Sequence, residues 1–300
     1  MRLKWDHLLV VVRWGGTILL LGILFLIVDL REVYQSLRSA TLLPLSVALV
    51  LSLGDRLLMA GKWFPLLRVQ VPEVRLSSVI RVYFAAGFAN TFLPASGGDV
   101  LRSIGLGRGR EAVLEVGASV VIERILGIVG SALVAVLVLW VALRASLPME
   151  VLLPWVAACI AGSVFLAAIP FSARVRSFVR GILEQFRGHR WVSLVERFGK
   201  AYSVYTEHKQ TLFAVGLLST IEQFAPVFVF WVGAQSIGLD LPFSAVFIAV
   251  PLTFFVARLP ISVAGIGVIE GGFVYLFGLF DVTASQAVSL AIVWRAVELV

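Results

Sequence analysis

The stretch "NTFLPASGGDVLR", Asn90 to Arg102, combines a proline, two adjacent glycines, an aspartate and an arginine, and apolar runs precede and follow it. Pro94, Gly97 and Gly98 predict a break in a helix, because proline lacks a backbone donor and glycine disfavours helix interiors. At membrane depth, irregular backbone is tolerated only where protein buries it or where it lines a wet cavity. We therefore expect a broken helix that supports a polar site. The alternative is a tight cytoplasmic turn with solvated charges.

The composition around this stretch is that of a membrane protein. Of the 300 residues 60% are hydrophobic and 14% are charged, and the mean hydropathy is +0.99. These values predict an all-α, polytopic helix bundle that forms one transmembrane domain, residues 1–300. The apolar run from Ala112 to Leu143 is too long for one upright span, so it must tilt, break or begin outside the membrane. The predicted spans are Trp14 to Val28, Leu42 to Met59, Ala112 to Leu143, Val151 to Ile169, Thr211 to Ile237, Phe243 to Ala257, and Ala284 to the end.

The charge distribution predicts the orientation. The formal net charge is +7, and arginine and lysine collect between the apolar runs. By the positive-inside tendency, the N-terminus, the segment with Lys62, Arg68 and Arg75, and the loop at 172–210 should be cytoplasmic. Topology and anionic lipid headgroups account for this charge, and nucleic acid is excluded as a partner. We expect a multi-pass protein of the cell membrane.

The basic loop at 172–210 has apolar residues at helical spacing on both sides of Gly188. Arginines occupy much of the opposite face. This pattern predicts one or two amphipathic helices that lie on the cytoplasmic leaflet, or a helix that binds a partner protein. The second apolar set comprises Trp191, Leu194, Val195, Phe198, Tyr202 and Tyr205.

A second interrupted stretch reads "ARLPISVAGIGVIEGGF", Ala257 to Phe273, and its helix-breaking residues are Pro260, Gly265 and Gly267. It shares the phrase "LP-x-S" with the first stretch, and in both stretches glycines and a carboxylate follow, here Glu270. This weak echo suggests a duplicated unit, whose symmetry the sequence leaves open. Each stretch is predicted to form a re-entrant or broken-helix element.

Several charged residues interrupt the apolar runs. Glu123 and Arg124 lie in "VVIERILG" and Glu222 lies in "STIEQFAP", while Arg81 and Arg295 are similarly placed. A charge near mid-bilayer costs about 2.5 to 3.5 kcal/mol even on lenient scales, so these groups should face the interior and pair. Adjacent helical residues point about 100° apart. Glu123 and Arg124 should therefore contact different partners.

Motifs for enzymatic chemistry are scarce. The sequence lacks a GxxxxGK[ST] phosphate loop, HExxH and GxSxG, and Cys159 is the only cysteine. The three histidines lie in predicted loops or at span ends. We therefore expect no metal and no cofactor, and transport is favoured over covalent chemistry.

Three motifs together, "FANTFLPASGGDVLR", "ASVVIERILG" and "ARLPISVAGIGVIEGG", resemble the transmembrane region of lysylphosphatidylglycerol synthases, also found alone as flippase-like membrane proteins. The resemblance covers roughly Gly15 to Arg295. In two-domain synthases a soluble aminoacyl transferase domain follows, and the membrane part is implicated in moving the lipid between leaflets. The present sequence stops within an apolar run where family members continue, which suggests a shortened final helix or a longer protein. The matching residues are Pro94, Gly97, Gly98, Asp99 and Arg102 in the first motif, Glu123 and Arg124 in the second, and Arg258, Pro260, Gly265, Gly267 and Glu270 in the third.

The resemblance and the residues together predict a lipid translocase, flippase or scramblase-like, in which the two interrupted elements frame a polar cavity. Its substrate would be an anionic, aminoacylated or polyprenyl-phosphate-linked lipid. Arg102, Arg124 and Arg258 would contact phosphate, because a guanidinium fork suits it. The carboxylates of Asp99, Glu123 and Glu270 would position the arginines or meet a cationic headgroup.

Two alternatives remain open on the sequence alone. An integral enzyme could use Asp99 or Glu270 as a base on a lipid-linked substrate. A scaffold could use the loop at 172–210 to hold a separate glycosyltransferase or synthase. Besides membrane lipid, the expected partners are therefore such an enzyme or a second copy of the chain.

Overall fold

A computed structural model describes residues 2–90, 97–107, 110–145, 147–168, 190–258, 262 and 265–298 of the chain. Within these ranges all regular secondary structure is helical, and no strand occurs. The predicted all-α class is confirmed. Helices are the expected solution for an apolar chain, since they satisfy backbone polar groups within one segment. Pro94 and Pro260, the two prolines of the interrupted stretches, and residues 175–186 of the basic loop lie outside the described residues.

Thirteen α-helices are described. They are α1 (Arg2–Ile27), α2 (Leu30–Arg38), α3 (Leu42–Gln70), α4 (Leu76–Asn90), α5 (Gly97–Leu106), α6 (Arg110–Arg144), α7 (Met149–Ala168), α8 (Arg190–Val204), α9 (Lys209–Glu222), α10 (Ala225–Ser236), α11 (Phe243–Ala257), α12 (Val268–Phe277) and α13 (Ala284–Glu298). In the described part of the chain, three helical segments are long and apolar enough to cross a bilayer: Leu42–Gln70, Ala112–Arg144 and Lys209–Ser236.

Two helix boundaries differ from the sequence predictions. The second span was predicted to end at Met59, but α3 continues to Gln70, so Lys62 lies inside a helix and not in a loop. Trp63, Leu66 and Leu67 extend its buried face, while Lys62 is buried with a carboxylate partner. The segment between the first two predicted spans contains α2, which Asp29 caps by accepting the Arg31 N–H at 2.8 Å. The long third run forms α6 without a break.

The chain divides into two compact units, which are described separately. Unit 1 comprises Met1–Asp55, Val134–Cys159 and Gln223–Val300. Unit 2 comprises Arg56–Leu133 and Ile160–Glu222.

In unit 2, α4 and α5 form a helical hairpin. A Cβ built on Gly105, near the end of α5, would lie 3.0 Å from Cγ1 of Val82, in the middle of α4. The two helices therefore run antiparallel and in close contact, which a glycine at this position permits. Trp63 and Leu66 of α3, Val79 of α4 and Val116 of α6 belong to the buried core beside this hairpin.

Helix α8 packs on the same core. The predicted helix after Gly188 is present as α8. The C-terminal part of its apolar face contacts protein, because Phe198, Ala201, Tyr202 and the following Tyr205 join the core of unit 2. The side chains of Trp191, Leu194 and Val195 lie outside the described part of the structure. The Tyr205 hydroxyl donates to the Leu66 carbonyl at 2.9 Å. The interpretation that this face lies on lipid was therefore wrong for these residues.

In unit 1, α11 and α12 form a second hairpin. A Cβ on Gly272 of α12 would lie 2.8 Å from Cγ2 of Thr253 on α11, so the two helices touch at the glycine. The ring of Phe230 on α10 packs edge-on against Phe273 at 4.7 Å and stacks on Trp294 at 5.6 Å. These aromatic contacts fix α10, α12 and α13 in one core.

Candidate functional site

In unit 2, the short helix α5 places two charged side chains against α6. Asp99 lies in the first turn of α5, where a carboxylate suits the positive end of the helix dipole. Arg102 follows one turn later on the same face. Glu123 and Arg124 approach from the middle of α6. We call these four residues the α5–α6 cluster.

Arg102 is the buried centre of this cluster, with only 6% of its side chain exposed. Its Nη2 donates to Oε2 of Glu123, and its Nη1 lies 3.5 Å from Oδ1 of Asp99. The guanidinium also lies over two rings, 3.9 Å from the centroid of Trp63 and 4.7 Å from that of Tyr83. Two carboxylates and two aromatic faces thus stabilise one buried cation.

Arg124 forms the outer part of the cluster. Its Nη2 lies 2.8 Å from Oδ2 and 3.0 Å from Oδ1 of Asp99, and its Nε donates to Oδ2 at 3.1 Å. The Arg124 side chain is nevertheless 58% exposed, whereas Asp99 is mostly covered. Glu123 and Arg124 contact different partners, as predicted from their adjacent positions on a helix. Glu123 therefore contacts the buried Arg102, whereas Arg124 reaches the surface.

A separate ion pair of unit 2 lies between α3 and α9. Lys62 donates through Nζ to Oε2 of Glu222, and the exposed fractions of the two side chains are 3% and 8%. Beside Lys62, the Trp63 indole N–H donates to Ser119 at 2.9 Å. The sequence predictions named Glu222 but missed Lys62, Trp63 and Tyr83 as members of a polar site, because Lys62 stands where hydropathy falls and resembles a loop lysine.

The charges of these ion pairs balance. Lys62, Arg102 and Arg124 face Asp99, Glu123 and Glu222, three cations against three carboxylates. Removing two ions from water costs several kcal/mol per ion, and their mutual attraction does little more than offset this cost. Such pairs therefore contribute little net stability. Charged side chains within apolar helices are rare, and this makes the ion pairs of unit 2 candidates for a binding role.

Unit 1 contains a related pair at the start of α12. Arg295 of α13 donates through Nε to Oε1 of Glu270 at 2.6 Å, and the Gly267 N–H donates to Oε2 at 2.7 Å. Gly265 and Gly267 adopt φ values of +70° and +84°, which L side chains rarely adopt. The glycines and the carboxylate thus shape one helix start together.

Two of the predicted arginines have other surroundings. Arg258, at the end of α11, donates through Nη2 to Oε1 of Gln223 at 3.3 Å. Arg81 was expected to face the interior and pair with a carboxylate, but its side chain is exposed and bonds within α4, to the Ser77 carbonyl at 3.2 Å and to Ser78 Oγ at 3.5 Å. A long side chain can reach backbone acceptors near the helix start, so it needs no buried partner.

These features define a helical membrane protein with ion pairs set into apolar helices. The chain belongs to the family described as the lysylphosphatidylglycerol synthase TM region, whose model matches residues 9–300. A comparison with curated proteins finds no match. The family is one of membrane proteins with a lipid-related role. Among the described residues, no group of three histidine, cysteine, aspartate or glutamate side chains could hold a metal ion.

Proposed function

We propose that the protein moves a phosphate-bearing lipid between leaflets, and that Arg124 and Asp99 bind the headgroup. The observation that carries the proposal is the exposure of Arg124, 58%, at a position inside an apolar helix. A guanidinium fork at an open surface suits a phosphate diester. Exposed apolar side chains stand near it in sequence on both helices, Val100 and Leu101 after Asp99 and Val121 one turn before Arg124. These would contact acyl chains while the phosphate meets the arginine.

The depth of Arg124 supports contact with a headgroup in transit. The apolar part of α6, Ala112–Arg144, has 33 residues, or about 50 Å at about 1.5 Å per residue. Arg124 lies about 18 Å from Ala112 along this axis. A hydrocarbon core about 30 Å thick therefore includes Arg124 for nearly every placement along α6. An exposed charge at that depth is costly unless a polar group, such as a lipid headgroup, contacts it.

The α5–α6 cluster can release Arg124 without leaving a carboxylate unpaired. Asp99 lies 3.5 Å from Nη1 of Arg102 as well as in contact with Arg124. When phosphate binds Arg124, Asp99 keeps Arg102 as a partner. Arg102 itself stays fixed, because Glu123 and two rings hold it. The headgroup thus exchanges with Asp99 at little electrostatic cost.

The phosphate is the chemistry shared by the candidate lipids, namely anionic phospholipids, aminoacylated phospholipids and polyprenyl-phosphate-linked sugars. An aminoacylated headgroup adds an ammonium group, which Asp99 can accept once Arg124 has turned to the phosphate. Movement would be driven by a gradient or by consumption of the product, or it would be equilibration alone.

The test is translocation by the full chain in phospholipid vesicles with a fluorescent phosphatidylglycerol as probe, measured by dithionite quenching. Arg124→Ala removes the fork to phosphate, whose charge-assisted hydrogen bonds contribute about 1.5 to 3 kcal/mol. We expect the translocation rate to fall roughly 10- to 150-fold. Arg81→Ala is the matched control, since Arg81 is exposed on α4 and, within the described part of the chain, its hydrogen bonds are to residues of its own helix.

The proposal fails if Arg124→Ala moves the probe at the wild-type rate. Arg124→Lys adds detail, because it keeps the charge and removes the bidentate geometry. An intermediate rate is expected for that variant. Equal losses in the Arg124 and Arg81 variants would also count against a specific site.

A further inference from the structure

The two interrupted elements share one arrangement of helices and charges. In unit 2, α4 and the short α5 form a hairpin that is followed by α6; in unit 1, α11 and the short α12 form a hairpin that is followed by α13. The third residue of each short helix is a carboxylate, Asp99 or Glu270. Each carboxylate accepts a hydrogen bond from Nε of an arginine on the next helix.

The spacing of the two pairs is identical. Asp99 and Arg124 are 25 residues apart, and so are Glu270 and Arg295. The hairpins also share a contact type, since a glycine of the short helix touches a β-branched side chain of the preceding helix, Gly105 on Val82 and Gly272 on Thr253. Correspondence in element order, position and chemistry is typical of an internal repeat.

We infer that Glu270–Arg295 is the counterpart of Asp99–Arg124 and forms a second binding site for a lipid phosphate. This inference rests on the proposed function of the first pair. It assigns unit 1 a headgroup site of its own, so that each chain binds two phosphate-bearing headgroups.

The hydrogen bonds of the second pair favour an anion over a cation. Both oxygens of Glu270 are engaged, Oε1 by Arg295 and Oε2 by the Gly267 N–H. Nη2 of Arg295, in contrast, is buried and has no hydrogen-bond partner among the described residues. A buried donor without an acceptor costs about 1 to 3 kcal/mol, and a phosphate oxygen would satisfy it. Arg295 therefore has a donor available for an anion, whereas both carboxylate oxygens of Glu270 already accept hydrogen bonds.

The second site is also reachable. The Arg295 side chain is 30% exposed, whereas Arg102, the buried arginine of unit 2, is 6% exposed. Part of the Arg295 side chain is therefore open to a ligand from outside the protein. Arg295 thus resembles Arg124 in combining a carboxylate contact with an open face.

The test counts bound lipid. Dioctanoyl phosphatidylglycerol is titrated into the detergent-solubilised full chain, and native mass spectrometry gives the number of lipids bound per chain. We expect two for the wild type and one for Glu270→Gln with Arg295→Gln. The double substitution leaves no unpaired buried charge, and the amide oxygen introduced by Glu270→Gln can still accept the Gly267 N–H. Arg124→Ala should also bind one, at the remaining site in unit 1.

A second arm separates lipid from free anion. Inorganic phosphate at millimolar concentration should leave the count of bound lipids unchanged if the acyl chains contribute to binding. Displacement of lipid by phosphate would instead show two sites for a free anion and would overturn the assignment to lipid.

The outcomes distinguish the two proposals. A Glu270/Arg295 double variant that still binds two lipids overturns the second site and leaves the first untouched. Normal translocation by Arg124→Ala, with two lipids bound to the wild type, rejects the proposed function instead. Should the double variant fail to fold, Arg295→Lys decides, because it keeps the charge and loses the fork. Roughly tenfold weaker binding of the second lipid is then expected, and unchanged affinity refutes the inference.

Discussion

The buried Lys62–Glu222 pair gives a sharp test of how unit 2 holds charge in an apolar environment. Both side chains are almost completely buried, and within the described part of the chain each is the other's ion-pair partner. Lys62→Met leaves a buried carboxylate without its cation, and Glu222→Met leaves a buried ammonium. Lys62→Met with Glu222→Met removes both charges while keeping similar volumes.

The expected magnitudes follow from this geometry. Removing one partner of a buried pair costs about 3 to 5 kcal/mol, because the other charge stays desolvated. Replacing both partners by apolar side chains is often neutral or stabilising. The double variant should therefore be more stable than either single variant by at least about 2 kcal/mol, although it carries more substitutions. A double-mutant cycle measures this coupling directly.

The assay is unfolding in mixed micelles, with helix content followed by circular dichroism as the denaturing detergent fraction rises. Lys209→Met is the control, since Lys209 is an exposed lysine at the start of α9. It should change the free energy of unfolding by less than about 0.5 kcal/mol. The reasoning is refuted if Lys62→Met is as stable as this control, or if the two single effects simply add.

Two further predictions concern packing and titration. Gly272→Ala should lower the free energy of unfolding by about 1 to 3 kcal/mol, because the added Cβ would lie 2.8 Å from Thr253. Gly271→Ala is the control, since a Cβ there meets open space and should be tolerated. Thermal melts of the two variants make the comparison. Burial raises the pKa of the Tyr205 hydroxyl, which donates to Leu66. The folded state therefore holds the hydroxyl proton to a higher pH than the unfolded chain does. The resulting contribution to stability is complete below about pH 10 and is lost as pH rises further. Tyr205→Phe should flatten that alkaline loss in a pH series of unfolding curves.

The fold class could be predicted because hydropathy and run length decide it. Long apolar runs with charge confined to their flanks specify membrane helices before any packing is known. The boundaries of α3 and α2 could not be predicted in the same way. Lys62 lowers the local hydropathy, and only its partner Glu222, 160 residues along the chain, compensates for that charge. Pairings over such distances leave no local signal.

The candidate site was partly predictable for a related reason. A charge inside an apolar run is conspicuous, and Arg102, Glu123 and Arg124 were named on that basis. Their partners follow from packing, so the rings of Trp63 and Tyr83 around Arg102 were not foreseen. One further signal is present in the sequence: the carboxylate of each interrupted stretch, Asp99 or Glu270, precedes an arginine on the next helix by 25 positions.

Trp63 and Tyr83 give Arg102 neighbours that attract its charge without accepting its protons in ordinary hydrogen bonds. The Arg102 guanidinium keeps its orientation when adjacent carboxylates change partners, because the two packed ring faces do not reorient as water dipoles do. Asp99 and Glu123 balance the charge of Arg102, so the two rings fix where the guanidinium lies and add no net positive charge to unit 2.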